Sequence, residues 1–164
     1  MSSRRSLAFP LSALLLFVFT SLSSTLLSAA PADDLLRLHQ LRLATQKSLG
    51  HFYMYNGMEG DQRYARMISE SLQEGQSHLD GLGEMPGDAS KALRAQLQTN
   101  WQSYRSGLQA LMEAMRSQGF TDLQPVADLA ENNQRIMAIG QELYQKIQQE
   151  SGFSVPQLTQ KSRE

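Results

Sequence analysis

Four stretches of the chain repeat apolar residues every three or four positions, the spacing that gathers side chains onto one face of an α-helix. The first carries Leu38, Leu41, Thr45, Ser48 with Leu49, Phe52 and Tyr55; Pro31, Asp33 and Asp34 open it, with the acids at the positive helix end. Asn56-Gly57-Met58-Glu59-Gly60-Asp61 then reads as a turn, with Asp61 as the next N-cap. The second stripe is Tyr64, Ile68, Ser71 with Leu72, Gly75, Leu79 and Leu82, and it ends in the breaker Gly81 to Asp88, whose last residue is expected to cap the third helix. That helix has a seam of alternating four and three residues, Leu97, Trp101, Tyr104, Leu108, Leu111 and Met115, and stops at Gly119. The fourth seam is Val126, Leu129, Asn133, Ile136, Gly140, Leu143 and Ile147. Thr121 with Gln124 resembles a capping box before it, Pro125 falls in or near its first turn, and Gly152 is its stop.

No stretch alternates with period two, so no sheet is expected. Long helical segments with short connections must run antiparallel, and seams of period 3.5 favour crossing angles of about 20°. The pattern predicts an all-α, antiparallel up-down-up-down four-helix bundle over residues 33–152, followed by a flexible tail over 153–164 in which Phe153, Val155 and Leu158 are candidate docking residues.

The N-terminus has a different pattern. Arg4 and Arg5 precede the apolar run Leu14-Leu15-Leu16-Phe17-Val18-Phe19, and small residues Ser28-Ala29-Ala30-Pro31-Ala32 follow. That order is a secretory signal peptide over residues 1–32, cleaved best after Ala32 and second best after Ala30. The rival is an uncleaved anchor, since the segment from Leu7 to Leu27 is about the ~20 residues a membrane helix needs. Ser3-Arg4-Arg5-Ser6-Leu7 partly matches a twin-arginine signal, although the strongly apolar run fits the general secretory route better. The expected location is periplasmic or secreted, and with no second spanning segment before Glu164 the chain is not expected to signal across a membrane alone.

Composition narrows the chemistry. All 16 acidic residues lie beyond residue 32, whereas Arg4 and Arg5 leave with the signal, so 13 of the 15 basic residues remain and the mature net charge is −3. No basic footprint for nucleic acid or an anionic membrane results. The absence of cysteine excludes a disulfide framework, thiolate metal sites, a cysteine nucleophile, covalent c-type haem and a lipid anchor on cysteine. Serine-hydrolase elbows, H-E-x-x-H, phosphate loops and dinucleotide fingerprints are also missing, and the carboxylate pairs Glu70 with Glu74 and Asp80 with Glu84 have no evident cleft. No enzyme activity and no cofactor are expected.

His51-Phe52-Tyr53-Met54-Tyr55 is the most unusual string of the mature chain, because successive helical positions turn by 100° and four bulky apolar side chains do not all fit one core. A binding patch of His51, Phe52, Tyr53, Met54, Tyr55, Met58, Tyr64 and Met67 follows as one reading. The plainer one buries Phe52 and Tyr55 and lays Tyr53 and Met54 on the bundle surface. His51, Met54 and Met58 also share a face at i, i+3 and i+7, an imidazole–thioether set suited to Cu(I), although Gly57 interrupts the helix before Met58. Asn133 is a polar residue in an apolar seam, a common device for fixing register, and Gly140 leaves a gap that admits a close neighbour. The arginines along the helices, Arg37, Arg42, Arg63, Arg66, Arg94, Arg105, Arg116 and Arg135, read as solvated faces.

In helix number, helix length and export signal, residues 34–151 are similar to the extracytoplasmic four-helix-bundle sensor domains of bacterial chemoreceptors and histidine kinases, including the nitrate-sensor and pilus-chemoreceptor type. No diagnostic motif accompanies the likeness, so it implies no ligand residues. The expected function is a non-enzymatic interaction module that binds a protein partner or its own copy through the first-helix aromatic patch. The alternatives are a sensor-like bundle holding a small ligand or copper, and an inhibitor or immunity-type protein for an exported enzyme. Export with cleavage after Ala32 predicts a mature chain beginning at Asp33, which N-terminal sequencing or intact mass of the exported protein measures directly.

Overall fold

The computed structural model describes residues 8–153, with side chains from residue 30 onward. The expected cleavage region up to Ala29, and Val155 and Leu158 of the tail, therefore lie outside the described side chains. The described fold is all-α, with α1 at Ala8–Gly57, α2 at Gln62–Asp80, α3 at Asp88–Gln118 and α4 at Leu123–Ser151, and no strand among the described residues. Among those residues no helix is long and apolar enough to cross a membrane.

The four stripes meet in one core. Leu38, Leu41, Phe52 and Tyr55 come from α1, Ile68, Leu72 and Leu79 from α2, the whole seam from Leu97 to Met115 from α3, and Leu129, Ile136, Leu143 and Ile147 from α4. Tyr64 and Val126, at the starts of their stripes, are half-buried. Each buried leucine, isoleucine or aromatic contributes roughly 1.5–3 kcal/mol of transfer free energy, so a filled seam on every helix is the main stabilising term. The helices are not equally spaced. α1 packs along both α2 and α4, and α3 packs along α4, whereas α2 and α3 barely touch and leave a groove between them. What joins α3 to α2 is a plug. The Trp101 indole covers Gly75, where a Cβ would stand 2.3 Å from Trp101 Cη2, and Trp101 Nε1 donates to Gln76 Oε1 at 2.8 Å.

Several helix ends differ from the sequence expectation. α1 does not open at Pro31 but runs through it; the ring deletes one N–H bond, and the neighbouring alanines Ala29, Ala30 and Ala32 are strong helix formers that keep the backbone helical. Asp88 is the first residue of α3 rather than its cap, which is Gly87. Glu150, reaching over from the end of α4, does the capping instead: its carboxylate accepts from Ser90 N at 3.3 Å and from Ser90 Oγ at 2.6 Å. Thr121 and Gln124 form no capping box, because Asp122 occupies the N-cap position and Thr121 Oγ1 bonds Asn56 Oδ1 at 2.7 Å. Asp61 does cap α2, accepting from Arg63 N at 2.9 Å. Gly119 and Gly152 end α3 and α4 in the left-handed region at φ 82° and 68°, a conformation glycine adopts without a Cβ penalty.

At the end where α2 meets α3, the connection is clamped by charges. Asp34 is buried and its Oδ1 accepts from Gly83 N at 2.9 Å, while Arg94 donates to the carbonyls of Leu82 and Gly83. Leu82 and Met85 from the same connection close this end of the core.

At mid-height the core contains polar side chains from three helices. Asn133 Nδ2 donates to Thr45 O at 2.9 Å and to Tyr104 OH at 3.2 Å. Ser48 Oγ donates to Thr45 O at 2.7 Å, and Tyr104 OH lies 2.6 Å from Ser48 Oγ, so a tyrosine proton given to the serine lets both hydroxyls and both Asn133 contacts be made at once. Asn133, expected as a register device, thus bridges α4 to α1 and α3. Burial pushes the Tyr104 phenol above its ordinary value, because the phenolate would be desolvated. Asn133→Ala is expected to lower stability by about 1–3 kcal/mol in urea unfolding, since it takes a buried partner away from Tyr104 and Thr45. The unfolded phenol ionises near pH 10 and the folded one at higher pH, so the folded state holds its proton longer and stability falls as pH rises through about 10. Tyr104→Phe should reduce that alkaline slope in urea midpoints measured from pH 8 to 11.

Candidate interaction surface at one end of the bundle

The last two turns of α1 sort the His51 to Tyr55 string by helical angle. Phe52 and Tyr55, three residues apart, face inward and are buried, whereas Tyr53 and Met54 face outward at 47% and 46% exposure. As surface members of the sequence-based patch, Phe52 and Tyr55 are therefore corrected to core residues: the seam of α1 passes through them. His51 and Tyr64 are half-buried, and Met58 and Met67 are exposed. Tyr55 reaches across to α3, where its hydroxyl donates to Met112 O at 3.3 Å, and burial raises its phenol too, against the opposing pull of Arg116.

Between Gly57 and Gln62 the chain reverses in four residues. Met58 N still bonds Met54 O at 2.9 Å, so the helical spacing of His51, Met54 and Met58 persists one residue past α1. Among the described residues no three histidine or acidic side chains are grouped to hold a metal ion. Glu59 and Gly60 then take positive φ values of 54° and 80°, and Gly60 N bonds Tyr55 O at 2.9 Å, which turns the chain over Tyr55. Gly60 also sits against the core, where a Cβ would lie 3.1 Å from Met115 Cγ. At the start of α2 the Arg63 guanidinium, bonded to Asp61, holds that carboxyl below its ordinary value and lies 5.9 Å from the centre of the Tyr64 ring. The Asp61 cap is therefore present at neutral pH and lost only as pH falls through that lowered value.

The connection from α3 to α4 belongs to the same end. The 2.7 Å bond from Thr121 Oγ1 to Asn56 Oδ1 fixes it to the last turn of α1. Its neighbours Phe120 and Leu123 are 56% and 89% exposed. Because Tyr53 and Asn56 are i and i+3, they share one face of α1, so the bond brings Phe120 next to the turn bearing Tyr53. Sequence periodicity assigns neither Phe120 nor Leu123 to a patch, since both fall between seams; an apolar residue on each side of Thr121 in a polar connection was the available sign. Single exposed apolar residues are ordinary, but a large apolar group formed from two connections and a helix end is a feature of interaction sites.

Asn133 and Gly140 stand apart from this end. Asn133 belongs to the polar centre, and the gap at Gly140 is filled by the Arg42 stem, whose Cγ and Cδ would lie 3.1 Å from a Cβ there. No family model, curated protein or solved structure matches the chain.

Two glycines of this region give opposite expectations. Gly60→Ala is strained at its positive φ and crowds Met115, so it should lower stability by about 1–2 kcal/mol. Gly50→Ala lies inside α1, about two turns before its end, with nothing within 4 Å of the added Cβ, and should raise stability by about 0.5–1 kcal/mol. Thermal unfolding of both variants checks the two signs.

Proposed function

We propose that the protein is a non-enzymatic interaction module of the periplasm or extracellular medium, built as an antiparallel up-down-up-down bundle and working through the end where α1 turns into α2. The observation that carries this reading is the apolar group at that end: Tyr53, Met54, Met58, Phe120 and Leu123 are all exposed. Covering such side chains in a protein interface returns about 25 cal/mol per Å² of apolar surface removed from water. Methionine adds adaptability, because its unbranched thioether refits to irregular partner surfaces. The tying of α3–α4 to α1 by Asn56 and Thr121 supports a preformed patch, which limits the ordering entropy lost on binding.

The residues 1–32 retain their role as an export signal in this reading, and a mature charge of −3 argues for a protein partner over nucleic acid. The partner is a second protein or a second copy of the chain. An inhibitor of an exported enzyme would use the same surface.

The triple substitution Met54→Gln, Phe120→Ser and Leu123→Ser changes only exposed positions, so helicity and melting should be preserved. It should abolish self-association in analytical ultracentrifugation, or the capture of whichever protein the wild type retains from a periplasmic extract. Leu43→Gln, an exposed apolar residue elsewhere on α1, should change neither. Identical behaviour of the triple variant and the wild type would remove this end of the bundle as the interface.

A further inference from the structure

At the other end of the described bundle, α1 and the last turns of α4 line an open cavity of about 450 Å³. Its walls are Leu35, Leu36, Tyr144 and Phe153, and its polar groups are Arg42, His39 and Gln141. The volume lies within the range of small-molecule sites, which combine apolar walls with a few convergent polar groups. Arg42 is the unusual member. It is half-buried, its Nε is out of contact with solvent and has no hydrogen-bond partner, and no carboxylate among the described residues pairs with it. A buried donor without an acceptor is costly, and the uncompensated charge of the guanidinium is what an anion in the cleft would complete.

The position of Arg42 follows from the fold. Its stem lies in the notch left by Gly140, where a Cβ would crowd Cγ and Cδ at 3.1 Å, so a side chain at residue 140 would displace it. The other cavities lack this combination. In the groove between α2 and α3, Arg116 is paired with Glu113 and Arg105 donates to Gln76. The hollow between α3 and α4 is lined by Asp122 and Asp128 and no cation.

We propose that this cavity binds a small amphipathic monocarboxylate, its head on the Arg42 guanidinium and its apolar body against Leu36, Tyr144 and Phe153. A planar carboxylate matches the fork of an arginine, and one guanidinium among apolar walls selects a single negative charge on an apolar molecule. His39, exposed and one helical turn before Arg42, lines the same cavity. The site is independent of the surface at the α1–α2 turn: Arg42 and Met54 are twelve residues apart on one helix, about 18 Å.

The probe is octanoate, titrated calorimetrically into the mature protein below its micelle concentration, with 1-octanol as the uncharged comparison. Expected are one site per chain, binding at least about tenfold weaker for octanol, and a loss of at least about tenfold in Arg42→Gln, partly restored in Arg42→Lys. Leu36→Asp, at a position 55% exposed and so harmless to folding, should weaken octanoate by a similar factor and keeps the test decisive if Arg42→Gln does not fold. Absence of binding at low millimolar octanoate, or affinity undiminished from the wild type's in Arg42→Gln or, should that variant not fold, in Leu36→Asp, overturns the proposal. So does binding that appears only in the variant Val155→Ser, Leu158→Ser, since the chain's own C-terminal segment would then be the occupant.

Discussion

The main-chain carbonyl of Thr45 accepts hydrogen bonds from Ser48 and Asn133, and Tyr104 is joined to both donors. An apolar seam tolerates small slips, because one leucine can replace another against the same surface. A buried amide does not: a shift of α4 by one turn would leave the Asn133 amide desolvated and unpaired, at about 1–3 kcal/mol, while the Ser48–Tyr104 bond fixes α1 against α3. One axial position of α1, α3 and α4 is therefore strongly preferred over its neighbours. Both ends of the bundle inherit that alignment. The Asn56–Thr121 bond and the Glu150–Ser90 bonds can form only if α1, α3 and α4 are already in this register.

α2 is held in another way. It contributes apolar side chains to the core but no member of the polar centre, and its axial position depends on Gly75 under Trp101 and on the clamped connection to α3. The indole packed on the glycine is a steric constraint, and its Nε1 bond to Gln76 adds one directional contact. The seam between α2 and α3 stays open along the groove lined by Arg105, Gln109 and Met112. α2 therefore leans mainly on α1, is joined to α3 only around Gly75 and Gln76, and is entered through a turn that carries the exposed Met58.

The four seams were legible in the sequence because burial on a helix is periodic, and nearly every residue placed on a stripe is buried. Asn133 was legible as well, since a polar residue in an apolar stripe stands out against that period. The helix starts were not. Asp88 and Thr121 have the composition of caps, but Glu150 and Asn56 come from sixty or more residues away and take over the hydrogen bonds that a local reading assigns to them. Asp34 was read as a charge at a helix start, and its burial follows from a contact with Gly83 that only the assembled bundle creates. The split of the aromatic string into buried Phe52 and Tyr55 and exposed Tyr53 and Met54 was one of two readings, decided by the angle at which the seam continues.

Gly140 and the Phe120–Leu123 segment show what periodicity leaves out. In the sequence Gly140 is a gap of unknown occupant; in the fold its occupant is the stem of Arg42, whose buried Nε has no acceptor among the described residues. Phe120 and Leu123 are apolar residues outside any stripe, and only the Thr121–Asn56 bond places Phe120 beside the end of α1. In both places a residue that breaks the pattern acquires its environment from a distant helix. The core can be read from one helix at a time because each seam faces inward whatever its partner, but surface chemistry depends on pairs of elements. The apolar end and the Arg42 cavity are such pairs, and the register fixed at Thr45 is what holds α1 and α4 together in both.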